Sequence, residues 1–207
     1  MQKSKLYRSF AQIISYAFHP LLMTSIAVII LFNSGHYLSV VNAGIRDTIY
    51  SIFFILTFVL PALFIPVLFY FRIITKLEID IRKERLLPLL STTIIYALAF
   101  YFMKKVSMPP ILTRLVFSSI VVLVLSTAIT SFWKVSLHLT SLGGLLGFVI
   151  YLGINSNLNV LLVGFIIILI SGLVGASRLY LQRHNPWQVY AGFLIGFFIV
   201  YLTMMLY

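Results

Sequence analysis

Between Gly175 and Gln188 the chain places Ser177, Arg178, Arg183 and His184 between two long apolar segments. Charged and imidazole side chains are costly at the edge of a bilayer and mark a functional site there. The stretch closes on a helix-start signature: Asn185 as the cap, Pro186 at the first helical position, and Gln188 three residues after the cap. His184 therefore stands just ahead of a helix N-terminus, where unpaired N–H groups and the helix dipole favour an anion. A phosphate held by Arg178 and facing His184 is the chemistry this pattern suits. Two further polar clusters accompany it. Lys134, His138 and Ser141 have the spacing of one helix face. Between Arg72 and Leu87, Arg82 and Arg85 stand just before a span, and an arginine fork matches phosphate oxygens.

The elements that must position these groups are membrane helices. Of 207 residues, 61% are hydrophobic and only 9% are charged, with a mean hydropathy of +1.09. A soluble domain of this size carries about a quarter charged residues. The composition describes an all-α, polytopic transmembrane bundle of about seven spans, each near the roughly 20 residues a crossing needs. The expected spans are 13–32, 48–71, 88–103, 111–132, 135–153, 158–176 and 186–207. No polar linker divides them, so 1–207 reads as one integral membrane domain. Residues 1–10 form a basic lead to an uncleaved first helix, in which His19-Pro20 is a partnered polar group or kink. Pro61 and Pro66 should kink the second helix. Glycines concentrate late in the chain, and Gly192 and Gly196 have the spacing that lets helix backbones approach closely.

Parity brings the three clusters together. Two spans separate the Arg72–Leu87 connector from Lys134, and two more separate His138 from Arg178, so all three emerge on one side. The chain has no cysteine, 15 Lys and Arg, and 4 Asp and Glu. Its basic residues sit in short connectors between spans, which points away from nucleic acid and toward anionic or phosphorylated lipid.

These residues resemble the signatures of the phosphatidic acid phosphatase type 2 superfamily. Ser177-Arg178, five residues and His184 match the third signature, Ser-Arg-x5-His-x3-Asp, with Gln188 in place of the Asp. Lys76 through Arg82, Arg85 and Pro88 resemble a loosened first signature, Lys-x6-Arg-Pro. His138, followed by Ser141 and Gly143-Gly144, stands where the second, Pro-Ser-Gly-His, belongs. The resemblance covers about residues 76–196 and implies a six-helix phosphatase-like core, 48–207, with an added N-terminal helix and loop, 1–47. It implies a hydrolase that releases phosphate from a lipid phosphate in the bilayer without metal or cofactor. His184 would attack phosphorus and form a phosphohistidine, and His138 would protonate the leaving alkoxide. Arg178, Arg82, Arg85, Lys76, Lys134 and Ser177 would hold the phosphoryl group. Gln188 would orient His184, and of the carboxylates on the correct side to assist, Glu78, Asp80 and Glu84, Glu84 is the one expected to do so.

Gln188 keeps a second reading open, a non-catalytic relative that binds or translocates a phosphorylated lipid. A third class, an intramembrane prenyltransferase, has only Asp80-x3-Glu84 as an acidic motif and lacks the second one it needs. Location in the cell's inner membrane is expected, with no oligomeric state specified. Lys and Arg are concentrated on the site side, with only Arg46, Lys104, Lys105 and Arg114 opposite. Positive-inside counting thus puts the site in the cytoplasm. The resemblance implies the other face, since bacterial members commonly face away from the cytoplasm.

Overall fold

The computed structural model describes residues 2–75 and 82–207; Lys76, Glu78 and Asp80 lie outside the described residues. Among the described residues the chain is an all-helical transmembrane bundle, with seven helical runs long and apolar enough to cross a membrane. Large apolar side chains such as Leu63, Leu98, Leu161 and Leu162 are exposed on its flanks. That is the surface expected where lipid is the solvent.

The first run breaks in two. Helix α1 (Gln2–Ala17) is followed by a 3-10 turn at Pro20–Leu22 and helix α2 (Met23–Asn33). His19 and Pro20 cause the break. Proline cannot continue the preceding hydrogen-bond ladder, and His19 Nδ1 accepts the Leu21 N–H at 3.4 Å, capping the turn. The basic lead is helical rather than irregular, for Gln2 to Ala17 contains neither glycine nor proline to stop it.

The second run is also interrupted. Helix α3 (Ala43–Phe54) passes through a π turn at Ile55–Val59 into α4 (Leu60–Tyr70). Pro61 has no N–H for the carbonyl one turn back. That carbonyl, on Thr57, instead accepts the Tyr96 hydroxyl at 3.0 Å. The remaining spans are α5 (Leu86–Lys105), α6 (Pro110–Phe132), α7 (Leu137–Asn155), α8 (Leu161–Tyr180) and α9 (Pro186–Leu206).

Helix α7 is the axis of the bundle. Buried residues make up 67% of its apolar window, against 22–33% in the other spans. Its closest partner is α9, while α2 and α8 also pack on it. Glycine makes the α7–α9 approach possible. A Cβ at Gly143 would strike the Phe193 carbonyl, and one at Gly196 would strike the Thr140 carbonyl. The N-terminal helix α1 lies against α8.

Candidate active site

The site begins with how α8 ends. Arg183 N–H bonds the Arg178 carbonyl at 3.1 Å and Gln182 N–H bonds the Leu179 carbonyl at 2.9 Å. This is the two-bond Schellman closure, with Gln182 left-handed at φ 54° where glycine is usual. The chain reverses in one tight turn, and that turn consumes most of the five residues between Arg178 and His184. Helix α9 then starts with a complete capping box. Asn185 Oδ1 accepts the Gln188 N–H at 2.9 Å, and Gln188 Oε1 accepts the Asn185 N–H at 3.3 Å.

The capping box also determines the proton on His184. Because Gln188 Oε1 is an acceptor for a backbone N–H, the oxygen is the atom that lies 3.0 Å from His184 Nδ1. An oxygen only accepts there, so Nδ1 carries the hydrogen and Nε2 keeps its lone pair. The ring is buried. Burial, then the charges of Arg85 and Arg178 and, more weakly, Lys134, push the imidazole down to about 3, against an upward pull from the Gln188 hydrogen bond. At neutral pH the ring is therefore an uncharged base.

His138 comes from the first turn of α7. Its Nε2 lies 3.1 Å from the Ser15 carbonyl on α1. A carbonyl only accepts, so this nitrogen carries a hydrogen, and Nδ1 is the one left to exchange a proton. The His138 and His19 rings meet edge to face, with centroids 5.8 Å apart and planes at 78°. His138 is also within electrostatic reach of Arg178 and His184.

One cavity of about 300 Å³ is bordered by His138, His184, Arg85, Arg178, Arg183 and His19. Thr92, Tyr96, Leu115 and Val122 line it as well, and most of its lining is apolar. The arrangement is a pocket that sets three arginines and three histidines, among them the neutral His184, beside apolar lining.

The other residues singled out from the sequence fall elsewhere. Lys134 lies ahead of α7 rather than on its face, because the helix starts only at Leu137; Ser136 N–H is bonded to the Gln188 carbonyl at 3.2 Å. Its ammonium pKa is nevertheless lowered by burial and by Arg85 and Arg178, which places it beside the same charges. The Arg82 guanidinium donates to the Phe132 carbonyl at the end of α6. Glu84 accepts the N–H and hydroxyl of Thr75 at 3.0 Å each. Ser177 is buried and donates to the Leu173 carbonyl at 2.8 Å, a back-bond within its own helix. Lys76 lies outside the described residues. Sequence reasoning named Arg183 in the polar stretch but gave it no role in holding phosphate, and it read His19 as a partnered polar group or kink rather than as a residue of the cavity. Ser15 acts through its backbone and left no side-chain signal.

No curated protein and no solved structure shows significant similarity to this chain. The family model described as the PAP2 superfamily matches residues 48–207, leaving α1 and α2 outside the match. That match covers most of the chain and all of the elements that carry His138, Arg178, His184 and Gln188, so the chain belongs to the PAP2 superfamily.

Proposed function

We propose that this protein is a metal-independent phosphatase of lipid phosphates, working through a phosphohistidine in the cell's inner membrane. The PAP2 superfamily generally comprises phosphatases that act on lipid phosphates. The observation that carries the reading for this chain is His184: buried, neutral, with Nδ1 held by Gln188 and Nε2 unprotonated beside Arg85 and Arg178.

The chemistry follows from these groups. The Nε2 lone pair of His184 attacks phosphorus, the P–N bond forms and the ester P–O bond breaks. Guanidinium groups of Arg85 and Arg178, with Arg183 and Lys134 nearby, meet the charge on the phosphoryl oxygens. Preorganised cations in a water-poor site are worth far more than in bulk water. The negative charge of the bound phosphate lets His138 take up a proton at Nδ1, and the leaving alkoxide receives that proton, because Nε2–H is committed to Ser15. His138, now neutral, takes a proton from water; the resulting hydroxide attacks phosphorus, the P–N bond breaks, and inorganic phosphate leaves. The apolar lining that the cavity combines with its cations supports a substrate whose phosphate is joined to a lipid chain.

The test uses the full-length protein in bilayers with phosphatidate, phosphatidylglycerophosphate, a prenyl pyrophosphate and a lipid A phosphate. At least one should release phosphate, and His184→Asn should abolish the release. Absence of release from the whole panel would overturn the proposal. One observation favours the alternative of a lipid-phosphate binder or translocator: Gln188 gives His184 a neutral partner, which orients the ring without stabilising a positive charge. Tight lipid-phosphate binding without turnover, unchanged in His184→Asn, would select it.

A further inference from the structure

We propose that the N-terminal helical run, which lies outside the family match, supplies a phosphate ligand of its own: the Nε2–H of His19. This inference rests on the reading of the cavity as a phosphate site.

Three observations carry it. First, His19 borders the cavity that holds Arg85, Arg178, His138 and His184. It sits there because the chain breaks between α1 and the 3-10 turn, with His19 extended at φ −66° and ψ 139°. Second, the cap determines its tautomer. His19 Nδ1 accepts the Leu21 N–H at 3.4 Å, so the hydrogen of the neutral ring is on Nε2, and that nitrogen is a donor. Third, the neighbouring histidine has its own Nε2 engaged. His138 Nε2 is 3.1 Å from the Ser15 carbonyl, and the two rings meet edge to face. The break thus places a neutral N–H donor on the same cavity as the guanidinium groups of Arg85, Arg178 and Arg183, and each phosphoryl oxygen can accept more than one hydrogen bond. A neutral donor binds such an oxygen without adding positive charge to a site already rich in it. The same helix holds His138 through the Ser15 carbonyl, much as Gln188 holds His184. Through Ser15 and His19 the N-terminal run therefore acts as part of the site.

Two substitutions separate this role from capping. In His19→Asn the side-chain oxygen can still cap Leu21, but no group reaches the position of Nε2. In His19→Gln the amide N–H₂ reaches that position, while the short-range cap is lost. Orthovanadate serves as the probe, its affinity read calorimetrically on the full-length protein in phosphatidylcholine nanodiscs, with thermal unfolding measured in parallel. His19→Asn should weaken vanadate about tenfold, the effect of one hydrogen bond to a charged group, while His19→Gln stays within about threefold of the parent. Equal binding by His19→Asn and the parent would overturn the assignment. So would the reverse order, in which Asn preserves affinity and Gln loses it together with thermal stability, or a parent protein that does not bind vanadate. Phosphate release from phosphatidate is measured separately. A parent that binds vanadate with this pattern but releases no phosphate refutes the phosphatase reading and leaves the His19 assignment standing. Turnover abolished by His184→Asn, with vanadate affinity indifferent to His19, does the opposite.

Discussion

His184 is held by an amide at the position where the family signature carries a carboxylate. The amide orients the ring as a carboxylate would, but offers no charge to the imidazolium character that grows as Nε2 bonds to phosphorus. In the serine-protease triad, exchanging Asp for Asn costs about ten-thousandfold in rate. The reverse exchange is therefore informative here. Gln188→Glu keeps an oxygen for the Asn185 N–H and puts negative charge in the first turn of α9, where the dipole favours it. It should raise kcat for phosphate release by at least about tenfold if even a part of that charge term is recovered. The pH profile supplies a second readout. The His184 pKa, now about 3, is held down chiefly by burial and by Arg85 and Arg178. A carboxylate neighbour raises it, so protonation disables the nucleophile at higher pH and the acid limb of kcat/KM moves upward. A rate and an acid limb both unchanged in Gln188→Glu would show that this contact does not govern the chemistry. At this scale the sequence was most legible where contacts are local. The capping box and the His184–Gln188 pair lie within four residues. The fates of Arg82, Glu84 and Ser177 depended on partners that no spacing rule names.

Two helix junctions and one helix pair build the site. The Schellman turn after α8 sets Arg178 and His184 on one cavity, and the glycine contact of α7 with α9 fixes His138 relative to both. Substituting Gly196 tests the second of these. Its Cβ would collide with the Thr140 carbonyl and would lie 3.0 Å from the Gly144 nitrogen, so the clash is with backbone that cannot rotate away. Gly196→Ala should cost about 1–3 kcal/mol or more of stability, the usual range for overpacking, and should reduce turnover along with it. Gly172 is the control, for a Cβ there meets nothing within 4 Å. Its change to alanine should leave the melting temperature in detergent unchanged or slightly higher. Equal melting of the two variants would refute the close-packing account. The helices themselves were legible from apolar length, and the Gly192 and Gly196 spacing announced a close helix approach without naming α7 as the partner. The π turn at Ile55–Val59 was not, since Pro61 called only for a kink. The form it takes depends on Tyr96, 39 residues away along the chain.

For the whole molecule, seven crossings put the α2–α3, α5–α6 and α7–α8 connections on the face opposite the site. The natural absence of cysteine permits a direct check with single exposed substitutions. Lys105→Cys and Asn155→Cys should react with a membrane-impermeant maleimide from one side, and Lys83→Cys and Ser131→Cys from the other. Any crossing of these classes would break the seven-span arrangement, and the class labelled from outside the cell identifies the face that carries the site. Composition alone determined that the chain is a membrane bundle, because so little charge and so much apolar surface admit no other solvent. Local spacing determined the His184 cap and its amide partner, because those contacts close within one turn. Only the tertiary structure decided that Arg85 rather than Arg82 borders the cavity, that Ser15 holds His138, and that His19 stands beside it. Spans that are apolar on every side carry no stripe to say which face looks inward. Contacts across more than a hundred residues are therefore settled by packing and not by pattern.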